Sequence, residues 1–72
     1  MSQKEKLLEK IRRNPRNVSL NDFESLITNH GSIEEGAKHP KAVIGVFTMP
    51  YKRENPVKSC YVMDLLEIID SL

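Results

Sequence analysis

Cysteine is almost missing from this chain. Cys60 is the only one, so no internal disulfide can form and a structural zinc site lacks its ligands. No apolar run approaches the roughly 18 residues of a membrane span, and the N-terminus has no apolar segment of the signal-peptide kind. These absences point to a soluble, cytoplasmic protein in a reducing compartment. No glycine-rich loop suited to cradling phosphate is present, and no carboxylate cluster near the basic segments suits Mg²⁺, which argues against a two-metal nuclease. Neither a repeat nor a low-complexity tract occurs, and 72 residues make one domain, near the lower limit for a chain that builds its own core.

Net charge of one sign is also scarce, at a formal +1, but its distribution is uneven. Residues 1–16 carry six cations (Lys4, Lys6, Lys10, Arg12, Arg13, Arg16) against Glu5 and Glu9, a local charge of +4. Residues 36–58 carry five (Lys38, Lys41, Lys52, Arg53, Lys58) against Glu54, again +4. Two basic zones on a nearly neutral chain permit local binding of a phosphodiester. Ordinary solvated charge is the competing reading of the same residues.

In chain order, Leu7, Leu8 and Ile11 give residues 2–13 a narrow apolar helical stripe, enough to pack at the rim of a core. Glu9 and Arg13 are spaced for a surface ion pair, and Asn14-Pro15 ends the helix. Ser19 is a good N-cap for a second helix, with Asp22 as a shortened capping-box partner and Val18 stapling against Phe23. Leu20, Phe23, Leu26 and Ile27 form its inward face. Gly31 suits a left-handed closing position, and His30 a capping role at the helix end.

From Ser32 the period changes. Ile33 marks a short first strand, inward-facing, with Glu34 toward water. Residues 38–44 and 46–51 read as two strands meeting at a tight turn on Gly45. Phe47, Met49 and Tyr51 share the core-facing parity, while parity sends His39 and Lys41 together toward solvent. Pro50, having no N–H, belongs at an edge or strand end. After the polar loop 52–56, Ser59 caps a last helix with a broad apolar face: Tyr61, Val62, Leu65, Leu66, Ile68, Ile69 and Leu72. Cys60, in its first turn, reads as a small packing residue. Helix, helix, strand, strand, strand, helix describes an α+β domain in which residues 15–72 form an αβββα core. Residues 1–14 are a helical extension, and the helices pack on one face of a three-stranded antiparallel sheet. Double-stranded-RNA-binding domains have that layout.

Several stretches resemble the HicA family, small messenger-RNA interferase toxins of bacterial toxin–antitoxin pairs. They are Asn14-Pro15-Arg16-Asn17-Val18-Ser19, Asn29-His30-Gly31, Gly36-Ala37-Lys38-His39, Phe47-Thr48-Met49-Pro50-Tyr51-Lys52 and Glu54-Asn55-Pro56-Val57-Lys58-Ser59-Cys60-Tyr61-Val62. The similarity covers residues 14–72. It implies a double-stranded-RNA-binding-like fold, metal-independent RNA cleavage with His39 as the catalytic residue, and neutralisation by a HicB-like antitoxin protein that covers this histidine. Pro40 departs from the pattern, standing where many members carry a second histidine.

The residues themselves support such chemistry. RNA carries its own nucleophile, the 2′-hydroxyl, and an imidazole, which ordinarily titrates near pH ~6.5, can take its proton or protonate the leaving oxygen. Lys38, Lys41, Lys52 and Arg53 are the cations available to bind RNA and offset phosphate charge. No cofactor or metal enters this scheme. The competing reading of His39 is a surface histidine that ends a strand beside Pro40, which would leave a catalytically inactive RNA-binding or protein-interaction module.

Overall fold

A computed structural model describes residues 2–36 and 38–72; the Ala37 of the Gly36-Ala37-Lys38-His39 stretch lies outside the described residues. Ser2, whose hydroxyl accepts from the Glu5 N–H, opens α1 (Gln3–Arg13). Proline at 15 stops it, and the Glu9–Arg13 pair forms on its surface at 2.7 Å. Ile11 is buried and Leu7 and Leu8 are partly so. Lys10 reaches Asp22 of the second helix and Arg12 pairs with Asp70 near the C-terminus, so charged ties add to the small apolar anchor.

The second helix, α2 (Leu20–His30), begins where expected, with the Ser19 hydroxyl accepting from the Asp22 N–H. The reciprocal half of the capping box is not made, because the Asp22 carboxylate is bonded to Lys10 instead. Phe23, Leu26 and Ile27 have no solvent exposure. At the far end His30 donates through Nδ1 to the Leu26 carbonyl, 3.1 Å away, which uses the ring as a cap. Gly31 corrects the sequence reading: its φ of −169° is extended, not left-handed. Glycine is needed there because a Cβ would fall 2.0 Å from the Val43 carbonyl oxygen.

That close approach feeds the chain into the sheet, β1 (Ser32–Glu34), β2 (Lys41–Ile44) and β3 (Phe47–Pro50), antiparallel and in that spatial order. Gly45, with φ +61°, and Val46 form a two-residue turn. Val46 therefore belongs to the turn and not to the strand, and its side chain is 94% exposed. Positive φ at the first central residue alone matches the type II′ hairpin turn, whose twist suits the strands.

Register assigns the two sheet faces. Ile33, Ala42 and Met49 lie across from one another, as do Ser32, Val43 and Thr48, and Glu34, Lys41 and Pro50. Ala42, Ile44 and Met49 enter one core with Phe23, Leu26 and Ile27 of α2 and with Val62, Leu65, Leu66 and Ile69 of α3 (Ser59–Asp70). The opposite face, with Ser32, Glu34, Lys41, Thr48 and Pro50, is exposed. This is an α+β domain with its helices on one sheet face, the layered solution expected of the core segment.

Four details differ at the last helix and hairpin tip. Ser59 is the first helical residue; Lys58 holds the N-cap position and supplies no side-chain bond. Cys60 is exposed, so it does not pack. Leu72 lies past the end of α3 and is exposed, and Phe47 beside the turn is only partly covered. The Leu72 side chain, just past the helix, lies beside the hairpin turn, where a Cβ on Gly45 would be 3.7 Å from its Cδ2. Among the described residues, no helix is long and apolar enough to cross a membrane.

Gly31→Ala should therefore cost about 1–3 kcal/mol, the range of overpacking against a backbone that cannot move freely. Urea unfolding measures it; an unchanged midpoint would contradict the close approach.

Candidate functional site

His39 stands in the segment joining β1 to β2, immediately before the buried Pro40, and its imidazole is exposed. Two contacts define this segment. The Tyr51 N–H donates to the Pro40 carbonyl at 3.1 Å, which continues the β2–β3 register one pair beyond the strands. The next residues outward on the two segments are His39 and Lys52. At the other end Gly36 lies so close that a Cβ on it would fall 2.3 Å from the His39 carbonyl oxygen. The segment thus folds back on itself, and glycine at 36 permits that approach.

Alternation along β2 puts Lys41 and Val43 on the face away from the helices, with Ala42 and Ile44 buried against them; ahead of the strand, Pro40 is buried and His39 exposed. On the neighbouring strand Thr48, Pro50 and Lys52 share that outer parity. Lys38, His39, Lys41 and Lys52 are all exposed, and among the described residues none of the three lysines has a carboxylate partner. His39 and the three lysines without carboxylate partners thus lie on the strand ends and on the segment that leads into β2. In the N-terminal basic zone Lys10, Arg12 and Arg13 are each paired with an acid, while Lys4, Lys6 and Arg16 are exposed without one.

Arg53 does not join that group as a free cation. Its Nη1 and Nη2 donate to the two carboxylate oxygens of Glu35 at 2.8 and 2.6 Å, and its Nε donates to Glu24 at 2.9 Å. All three guanidinium nitrogens are engaged, so Arg53, unlike the three lysines, has its charge paired within the protein. The same Glu24 oxygen accepts from the Tyr51 hydroxyl at 2.6 Å. Tyr51 is 1% exposed, and its ring meets Phe23 edge-on with centroids 5.1 Å apart. Burial first, then the Glu24 carboxylate, pushes the phenol well above its ordinary range, so it remains a donor throughout neutral pH.

The rest of the polar loop is tied to α2 as well. The Asn55 side chain accepts from the Leu20 N–H, satisfying a donor that the start of a helix leaves without a partner, and the Val57 N–H donates to the Val18 carbonyl. Glu24, Glu35, Tyr51 and Asn55 were not among the residues that composition singled out. Their trace in the sequence is faint: an acidic pair, Glu34-Glu35, and a basic pair, Lys52-Arg53, flank the outer strands of one small sheet. No group of three or more His, Cys, Asp or Glu side chains is placed to hold a metal ion among the described residues.

Bonding to Arg53 holds the Glu35 carboxyl below its usual range, slightly opposed by desolvation. A depressed carboxylate keeps the clamp intact above the ordinary value near ~4.3 and loses it as pH falls through the depressed value. In an NMR titration the Glu35 carboxyl should titrate below ~4.3 and return to that value in Arg53→Gln. An unshifted titration in the wild type would show that the clamp does not persist in solution.

Compared with known proteins, the chain matches no protein-family model, no curated protein and no solved structure.

Proposed function

We propose that the protein is a metal-independent endoribonuclease of the messenger-RNA interferase type, the toxin of a toxin–antitoxin pair. The observation that carries this reading is the exposed His39 just before β2, with Lys38 and Lys41 close to it in the chain, Lys52 following β3, and none of the three lysines paired with a carboxylate. The resemblance to HicA toxins supplies the biological setting, and the αβββα layout agrees with it.

In the proposed step His39, as neutral imidazole, takes the proton of a ribose 2′-hydroxyl. The 2′-oxygen bonds to the adjacent phosphorus as the bond to the 5′-oxygen breaks. The leaving oxygen receives a proton from the imidazolium or from water, giving a 2′,3′-cyclic phosphate and a 5′-hydroxyl end. A positioned base of this kind contributes about 10²–10⁴-fold. Charge accumulating on the phosphate is offset by Lys38, Lys41 and Lys52, with the backbone held by the sheet beneath them. A HicB-like antitoxin would silence the enzyme by covering His39.

The alternative is a catalytically inactive RNA-binding or protein-interaction module of the same fold. The apolar hairpin tip, with Val46 exposed beside a partly exposed Phe47, favours the protein-interaction form of it. Incubation with single- and double-stranded RNA in EDTA separates the two, since only the nuclease shortens its substrate.

His39→Ala should abolish cleavage and growth arrest while leaving the circular dichroism spectrum unchanged; undiminished cleavage would move the chemistry elsewhere. RNA affinity should fall with salt, and Lys41→Ala or Lys52→Ala should each flatten the log–log slope by about 0.7 for a single strand. A wild-type affinity indifferent to salt would assign these lysines to another partner.

A further inference from the structure

We propose that Arg53 and Glu35 act as positioning residues for His39, clamping the segment that carries it to the sheet and to α2. The inference rests on the nuclease reading for its kinetic consequence, but not for its physical content. Its basis is that one short stretch, Tyr51 to Arg53, holds the histidine segment at both ends. At the far end the Tyr51 N–H binds the carbonyl of Pro40, the residue after His39. At the near end the Arg53 guanidinium binds both carboxylate oxygens of Glu35, the residue before Gly36.

The anchor for this stretch is the core. Tyr51 is buried, its hydroxyl binds Glu24, and the Nε of Arg53 binds the same oxygen of that carboxylate. Glu24 is only 25% exposed, so this part of the network is sheltered from screening more than the Glu35 end, where the carboxylate is 65% exposed. Between the two attachments the segment closes on itself where Gly36 meets the His39 carbonyl. Fixing both ends of so short a segment leaves the imidazole few orientations. A guanidinium suits this double attachment, because its planar fork makes two parallel bonds to Glu35 while a third donor reaches Glu24. Lysine, a point charge, cannot serve both carboxylates in that geometry.

The test uses Glu35→Gln, Arg53→Gln, Arg53→Lys and the Glu35→Gln/Arg53→Gln double variant of the full chain, read in two ways. Backbone order parameters from ¹⁵N relaxation at Gly36, Lys38 and His39 should fall from near ~0.85 to below ~0.6 when the clamp is cut. The double variant should be no looser than Arg53→Gln, because that single variant already removes the bonds to Glu35 along with the bond to Glu24. RNA cleavage should lose about 10–100-fold in kcat with KM unchanged, the signature of a misplaced group and not of a lost contact. Arg53→Lys should recover only part of either loss. Glu35→Gln changes an exposed side chain, so it reports even if an Arg53 variant unfolds.

Unaltered order parameters in Glu35→Gln would overturn the proposal. So would a rise in KM at constant kcat in Arg53→Gln, which would make Arg53 an RNA-contacting cation. If the wild type leaves RNA uncut, the nuclease reading fails, and the relaxation data alone decide whether the clamp orders the segment.

Discussion

The burial of Tyr51 is the constraint on which this small fold depends. Its ring lies edge-on to Phe23 in the core, its hydroxyl is committed to Glu24, and its N–H extends the hairpin ladder to Pro40. A buried phenol without a partner would cost roughly 1–3 kcal/mol, so the carboxylate on α2 must be where it is. Because Glu24 also receives Arg53, the satisfaction of one core hydroxyl fixes a charged residue two positions further on. Through Arg53 the same network reaches Glu35, just before the segment that holds His39.

A domain of this size has little core to spare, and its polar contacts show how it compensates. The loop after β3 is not loose; Asn55 and Val57 bond to the start of α2, and Val57 is buried. α1 adds one fully buried side chain, Ile11, together with ion pairs to α2 and near the end of α3. Exposed pairs of that kind contribute about 0–1 kcal/mol each. The stability of the extension therefore comes chiefly from Ile11, while its cations are in part neutralised locally. Positive charge without a carboxylate partner remains around β2, at Lys38, Lys41 and Lys52, and near the N-terminus, at Lys4, Lys6 and Arg16.

The element order was legible in the sequence because local signals agree with one another: Ser19 before an amphipathic run, a change from helical to alternating period after Gly31, and glycine at the hairpin turn. The outward parity of Lys41 was legible for the same reason, since Ala42 and Ile44 form a consistent inward set; His39 is exposed but precedes the strand, where parity no longer rules. What could not be read were the relations between distant residues. Arg53 looks like any other lysine or arginine until Glu24 and Glu35, 29 and 18 positions away, are brought to it. Gly31 is needed for a backbone approach from Val43, which no local rule for helix ends contains. Ser59 has the composition of a cap, but the helix starts one residue early and leaves Lys58 at the capping position.

Under the proposed function, the exposed imidazole of His39 would use the sugar's own hydroxyl as nucleophile. The most direct measurement is the identity of the ends left on RNA cut by the purified protein in EDTA. Fragments ending in 2′,3′-cyclic phosphate, with 5′-hydroxyl partners, are the expected result. Fragments ending in 3′-hydroxyl and 5′-phosphate, or RNA left whole, would contradict it.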